Sequence, residues 1–436
     1  MIHTKASRRI NGDANKMQVH DRPVHEWYRF VLSYPPHLVR DYLERFEVTT
    51  KQLVLDPFCG TGTTLVECKK RGVPSIGVEA NAMAYLACTV KTDWAPDPKV
   101  IRRTSQRIAD QVSTVLQSEG IDDDPLPTNL AALSRCRTLS PELMKLILTN
   151  SICPLPLHKT LALRDCLDRV QGNGKDHFRV ALAKAIVFSI SNLHFGPEVG
   201  VSKPKIDCAV IAPWMREVRQ MADDLQLVEA SAAVPSRVHH GDSRDISAFL
   251  KPQSLDAVIT SPPYPNEKDY TRTTRLESVI LGMIRSKEEL RTLKRSLVRS
   301  NTRGVYRLDK DDLEVAHHPE IQRIAKAIEA RRIELGKTSG FERMYARVTK
   351  LYFGGMRRHL ASLRPFLRPG AQLAYVVGDQ ASYLRVMIRT GQILADLAES
   401  LGYEVTGIDL FRTRLSTATK EQLREEVVVL RWPGNK

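Results

Sequence analysis

The sequence predicts an α/β fold, an open sheet with helices on both faces and two large inserts. Three observations predict it. Residues 52–64, QLVLDPFCGTGTT, read as a buried strand running into a glycine loop and then a helix. Short apolar runs recur at 74–81, 236–245, 255–260, 372–378, 403–410 and 426–432. Between some of these lie two long stretches, 93–235 and 271–347, that read as helical or charged and irregular. The resulting division is a polar arm (1–24), a ligand-binding part (25–92), a mostly helical insert (93–235), a second sheet part (236–270), a basic insert (271–347) and a closing part (348–436).

In the first stretch Leu53, Val54 and Leu55 form the strand, and Asp56 and Pro57 end it. Gly60 and Gly62 let the backbone turn sharply and approach a ligand. Thr63 and Thr64 open a helix that continues through Cys68. Such a turn leaves free backbone N–H groups at the carboxyl end of a sheet, where open α/β folds bind ligands. A dinucleotide fingerprint needs a third glycine where Leu65 stands, and a P-loop needs a Gly-Lys-Ser/Thr triplet that is absent nearby. Upstream, Leu38, Val39, Tyr42, Leu43 and Phe46 have helical spacing after a turn at Pro35 and Pro36. That helix either covers one side of the ligand pocket or only packs.

Downstream, Ile76, Gly77 and Val78 form a second strand with Glu79 at its carboxyl end. A carboxylate there can accept hydrogen bonds from both ribose hydroxyls of a nucleoside. The helical insert contains a strongly apolar segment, Phe178–Asn192, a loop at 197–207 with Lys203 and Lys205, and an amphipathic helix, Trp214–Glu229. Val238 and His239 end the next strand, before Gly241 and Asp242. Adjacent histidines on a strand point to opposite faces, so His239 and His240 are poor co-ligands and no metal site is expected. Asp256 enters the strand Ala257–Thr260, which leads into Ser261-Pro262-Pro263-Tyr264. The closing part reads as helix (348–363), turn (368–370), strand (372–378), helix (386–401) and two strands, the last pair suggesting an antiparallel hairpin at a sheet edge.

The chain of 436 residues carries 65 Lys/Arg against 50 Asp/Glu, a formal charge of +15, with a pI near 9.5. From Pro265 to Pro365 there are 23 Lys/Arg against 13 Asp/Glu, so ten of the fifteen excess charges sit in under a quarter of the length. A polyanion is the expected partner, nucleic acid first. Arg272, Arg275, Arg291, Lys294, Arg295 and Arg299 lie in this stretch without even spacing, as on a surface that follows a phosphate backbone. The seven cysteines are odd in number and contain no C-x-x-C pair, against a disulfide framework or zinc knuckle. The apolar runs fall far short of a membrane span and the N-terminus has no apolar leader core, so a cytoplasmic protein is expected.

DPFCGTGTT resembles the S-adenosylmethionine loop of the amino-methylating DNA methyltransferases, and TSPPY resembles their catalytic motif. The resemblance covers residues 25–92, 236–270 and 350–432 and implies a Rossmann-like class I methyltransferase sheet. It assigns S-adenosylmethionine to Asp56, Pro57, Phe58, Cys59, Gly60, Thr61, Gly62 and Thr63, to Glu79 and Ala80, and to Asp242 as acceptor for the adenine amino group. It assigns catalysis to Ser261, Pro262, Pro263 and Tyr264, and implies double-stranded DNA as substrate, with a cognate restriction endonuclease as a natural partner.

The chemistry fits the residues. An exocyclic amine on a base is a poor nucleophile, because its lone pair is delocalised into the ring. It needs orientation rather than a covalent intermediate. Ser261 Oγ and the Pro262 carbonyl can accept from its two N–H groups, tandem prolines stiffen the loop, and Tyr264 can stack on a flipped base. Serine at the first motif position resembles the cytosine-N4 enzymes, whereas aspartate is most typical of adenine N6. Adenine-N6 methylation, an RNA base substrate and a non-catalytic DNA-binding protein with a decayed fold stand as alternatives. No Pro-Cys pair of the cytosine-C5 kind occurs. The order of segments leaves two candidates for target recognition, of which the basic insert is favoured.

Overall fold

The computed structural model describes residues 16–29, 33–196, 198–266, 268–415 and 421–434. Among the described residues nine strands form in chain order: β1 Val54–Asp56, β2 Ser75–Glu79, β3 Leu193–Phe195, β4 Val199–Val201, β5 Ser236–His240, β6 Leu255–Thr260, β7 Leu367–Gly378, β8 Glu404–Leu415 and β9 Gln422–Arg431. Seven make one sheet in the order β5-β2-β1-β6-β7-β9-β8. β5, β2, β1, β6 and β7 pair in parallel, and β9 runs antiparallel to both of its neighbours. This is the Rossmann-like class I sheet that the sequence predicts, and the late hairpin closes its edge.

The central strands are mostly apolar because both of their faces are covered. Leu55, Val258, Leu373, Tyr375 and Val377 pack on one face with Tyr352, Phe353, Met356 and Leu360 of the helix Tyr345–Leu363 and with Leu394 of the helix Thr390–Glu399. The alternate residues Val54, Ala257, Ile259, Ala374 and Val376 pack on the other with Leu38, Val39, Tyr42 and Leu43 of the helix Pro36–Arg45. β1 and β6 are adjacent, yet the chain leaves β1 toward β2 and β5 and returns to β6 on the other side. Strand order reverses there, and ligands of open α/β sheets bind outside the carboxyl ends at that point.

The helical insert is built on Pro98–Ser118, Pro154–Asp168, Lys175–Ala185 and Ile211–Val228, with Trp214 at its centre donating Nε1–H to the Phe178 carbonyl at 3.1 Å. Its core continues into Met83, Leu86 and Val90 of the helix Ala82–Thr92, which follows β2. Within the stretch expected as a loop (197–207), Val199–Val201 instead form β4, which pairs with β3 in a small antiparallel hairpin.

Two expected boundaries differ. Residues 1–15 of the polar arm lie outside the described residues, but the arm does not extend to 24. Val24 is fully buried, its N–H and the Trp27 indole N–H both donate to Asp224 at 2.8 Å, and Arg40 bonds Asp21 at 2.7 Å. One buried carboxylate on the insert thereby fixes the entry of the chain. The basic insert, in turn, is divided between two cores. Leu276, Val279, Ile280 and Leu290 join the helical insert, while Val298, Val315, Ile321, Ile324 and Ile328 join the sheet. Gly354 permits the second attachment, since a Cβ there would lie 1.7 Å from the Asp311 carbonyl oxygen.

Glu277 is buried completely and accepts the Tyr28 hydroxyl at 2.5 Å, while its other oxygen has no hydrogen-bond partner among the described residues. Burial pushes its carboxyl up to about 7. Unfolded, it titrates near 4.5. Between these values the folded chain holds a proton that the unfolded chain has released, so this group lowers stability as pH rises through that window. Glu277→Gln keeps an acceptor for Tyr28 and removes the charge. Its stability relative to the parent should therefore improve by about 3 kcal/mol between pH 4.5 and pH 8, read from urea unfolding at both pH values. An equal difference at the two would show that Glu277 is not held protonated.

Candidate active site

β1 delivers Asp56 to the start of the glycine loop. This carboxylate is wholly buried and accepts hydrogen bonds from Thr260 Oγ1 at 2.6 Å, Tyr34 at 3.0 Å and the Phe58 N–H at 3.1 Å. Burial pushes it up to about 6 against these bonds. Thr260 ends β6, so the two halves of the sheet are tied directly beneath the site. Thr64 makes a second tie, donating to the Ile259 carbonyl at 3.1 Å.

The loop crosses toward β2. Cys59 N–H donates to the Val78 carbonyl at 3.2 Å, and Gly60 N–H donates to Glu79 Oε2 at 2.8 Å. Glu79 Oε1 accepts the Asn81 N–H at 2.7 Å. Burial pushes the Glu79 carboxyl up to about 7, opposed by these backbone bonds. Gly60 adopts φ +50°, and a Cβ added there would meet nothing within 4 Å, so its outer face is open. Gly62 at φ +88° packs the other way, and a Cβ there would strike Cys88 Sγ at 2.8 Å.

A cavity of about 440 Å³ opens above these two loops, within the range of small-molecule sites. Its wall contains Pro57 through Thr61, Thr63, Glu79, Ala80 and the whole of Ser261 through Tyr264. Thr61 Oγ1 is buried there without a hydrogen-bond partner among the described residues. Ser261 donates its hydroxyl proton to the Val376 carbonyl at 3.1 Å, which leaves the Oγ lone pairs available as acceptors. The Tyr264 ring lies against Gly378 at the end of β7, where a Cβ would stand 3.0 Å from its Cε2. Ser33 and Tyr34 also line the cavity, so the segment ahead of the glycine loop does cover one side of it, although the helix Pro36–Arg45 packs on the sheet.

Three residues expected at the cofactor do not line the cavity. Asp56 has its acceptor capacity taken up by Tyr34, Thr260 and Phe58, and it organises the loop from below. Gly62 faces Cys88. Asp242 is turned onto the buried Arg244, with Nε at 2.9 Å from Oδ1 and Nη2 at 2.6 Å from Oδ2, and only its neighbours Gly241 and Ser243 reach the wall. A buried guanidinium requires counter-charge, and Asp242 supplies it.

The six basic residues expected on DNA separate similarly. Arg299 is buried against Asp309 at 2.8 Å, and Lys294 is largely buried against Asp269 at 2.9 Å; both line the cavity. Arg275, at the start of the helix Arg275–Ile280, donates back to Thr271 Oγ1 of the preceding short helix at 2.6 Å. Arg291 and Arg295 are exposed, each within reach of Glu288. Arg272 lies beside a second, smaller pocket. Irregular spacing thus reflected buried ion pairs as much as an open cationic face.

Sequence reasoning missed the wall supplied by the closing hairpin. Phe411, Arg412 and Arg414 of β8 and Glu425 of β9 reach the cavity, and the Arg412 fork grips Glu425 at 2.6 and 2.9 Å. It missed Lys268, Asp269 and Tyr270 just after the Ser-Pro-Pro-Tyr loop as well. Proximity in sequence was the signal available for these.

Comparison with known proteins agrees with this geometry. A DNA methylase family model, for N6/N4 methyltransferases, matches residues 11–88. The chain is 24% identical to the Type II methyltransferase M.BsoBI of Geobacillus stearothermophilus, over 97% of this chain and 86% of that protein. It is 22% identical to the Type II methyltransferase M.AvaI of a Nostoc species, over 99% and 90%. A shorter match, 35% identical over 16% of this chain and 13% of the other, is to the Type II methyltransferase M.MjaII of Methanocaldococcus jannaschii. Among solved structures, TrmN from Thermus thermophilus aligns at 11% identity over 91% of this chain and 48% of that one, with a TM-score of 0.27, too slight to carry an argument. The glycine loop, the sheet order and the near full-length similarity to Type II methyltransferases together support an amino-methylating DNA methyltransferase family for this chain.

Proposed function

We propose that this chain methylates N4 of a cytosine at a specific sequence in double-stranded DNA, using S-adenosylmethionine. One observation supports this most. Ser261 sits at the switch point with its proton given to Val376 and its oxygen lone pairs available, opposite the glycine loop. A serine in that state can accept an N–H from an exocyclic amine without taking up a proton, and with the Pro262 carbonyl it would orient the nitrogen lone pair. No covalent nucleophile is required, and the proton lost from the amine passes to solvent. Reaching such a base in a duplex requires flipping it out, and Tyr264 offers a ring face at the cavity wall.

The residues present suit the cofactor. Among the described residues the Thr61 hydroxyl is left unsatisfied at the wall, and the open face at Gly60 lets a ligand approach the backbone. Each Glu79 oxygen holds one backbone N–H and retains capacity for a ribose hydroxyl. When bound, S-adenosylmethionine supplies an electrophilic methyl group on a sulfonium. Arg244 occupies Asp242, so the adenine amino group would be met by backbone at Gly241 and Ser243 instead. A cognate restriction endonuclease is the partner this reading implies.

Mass spectrometry of nucleosides from plasmid DNA incubated with the protein and labelled S-adenosylmethionine tests the proposal, with total RNA in parallel. Label in N4-methylcytosine is expected. Label in N6-methyladenine would keep the pocket and refute the serine argument. Label in RNA alone would refute the substrate.

A further inference from the structure

A second pocket, about 70 Å³, adjoins the first and shares Lys268, Asp269 and Tyr270 with it. Its far side is the helical insert. Phe188 and Phe195 stand there with ring centroids 6.1 Å apart, and Phe188 is 54% exposed, unusual for a phenylalanine in so apolar a segment. β3 carries Phe195 and β4 carries Val199, so the small hairpin brings this wall to the mouth of the cavity. The rim is cationic. Arg29, Lys268, Arg272 and Arg303 line it against two acids, Glu198 and Asp269. Asp269 is already held by Lys294 at 2.9 Å, and Glu198 is 64% exposed and reaches Arg272 only at 3.6 Å, a weak surface pair. Among the described residues the buried Arg272 Nε–H has no acceptor.

We propose, resting on the DNA methyltransferase reading, that this pocket receives the nucleotide next to the flipped base on the same strand. Its base stacks on Phe188, and its phosphate is held by Lys268 and Arg272. At about 70 Å³ the pocket is too small to enclose a nucleotide, which fits a stacking platform flanked by cations rather than a base-reading slot. Lys268, shared by the two pockets, lies where the phosphate linking the two nucleotides must pass. The helical insert therefore carries a strand-guiding contact that sequence reasoning favoured in the basic insert.

Phe188→Ala and Lys268→Gln in the full chain test this, with anisotropy of fluorescein-labelled mixed-sequence DNA and RNA 20-mers and with methylation of plasmid DNA. Each variant should weaken DNA binding about ten-fold and raise the KM for plasmid DNA, leaving the KM for S-adenosylmethionine within two-fold. Phe188→Trp should restore binding, and Lys268→Gln should shallow the salt dependence by about one ion. Unchanged DNA binding in both variants, with an active parent, would overturn the subsite alone. A parent that methylates no nucleic acid would bring down the underlying reading, and binding of RNA in preference to DNA through the same residues would reject the DNA strand as occupant.

Discussion

Ser261→Ala is expected to reduce the methylation rate by about 10²-fold, with cofactor affinity within two-fold of the parent. The size follows from what the hydroxyl does. It does not bind the cofactor loop, and its bonds, to the Val376 carbonyl at 3.1 Å and to the Tyr264 side chain, are local, so its loss leaves the cavity intact. It removes one of two acceptors that aim a weak nucleophile, and misorientation of that order costs about two decades in rate. Single-turnover kinetics with saturating DNA, beside calorimetric titration of S-adenosylmethionine, separate the two effects. A rate within a few-fold of the parent would remove Ser261 from catalysis. Ser261→Asp is the informative companion. It adds an acceptor beside the Val376 carbonyl, where the hydroxyl proton now lies, so a like-polarity contact replaces a hydrogen bond and activity should not be recovered.

Arg244→Met should lower the free energy of unfolding by about 3–5 kcal/mol, the range for breaking a buried ion pair on one side. Arg244 is 6% exposed. It bridges Asp242 and Asp311 at 2.6 Å each and donates to the Arg295 carbonyl at 2.8 Å. Without it, among the described residues, Asp242 keeps no cation within bonding distance and Asp311 keeps only Arg358 at 3.3 Å. Arg244→Lys should recover less than half of the loss, since an ammonium cannot span both carboxylates with a planar fork. Replacing Asp242 and Asp311 by Asn in the Met background should recover most of it. Urea unfolding measures all of these, and a loss under 1 kcal/mol in Arg244→Met would mean that the bridge is solvent-relaxed.

The core of the site was legible because its signals are local. A strand, two glycines and a helix start lie within thirteen residues, and Ser-Pro-Pro-Tyr follows its strand directly. The sheet followed from the apolar runs, including β9, whose antiparallel course was read from two late strands. What was not legible depends on partners distant in sequence. Asp242 and Arg244 stand two apart, and nothing local tells that Arg244 is drawn into the core by Asp311. Arg299 and Lys294 look like surface cations until Asp309 and Asp269 are brought to them. Glu277 looks like an ordinary helix-surface acid until Tyr28, 249 residues away, closes over it. Charge patterning reports sign, and burial decides use.

The bond between Thr260 and Asp56 joins residues 204 apart, and it has a consequence for biosynthesis. At about 5–20 residues per second, the ribosome delivers β6 roughly 10–40 s after β1. During that interval β1 can pair with β2 but leaves its other edge bare, a template for any stray strand. The helical insert emerges within the same window and has its own apolar core, so it can close before the sheet does. The nascent chain thus carries a largely formed helical body, still open where Leu276–Leu290 will dock, beside an unfinished sheet, and chaperone demand should concentrate on the stretch of translation before residue 260 clears the exit tunnel.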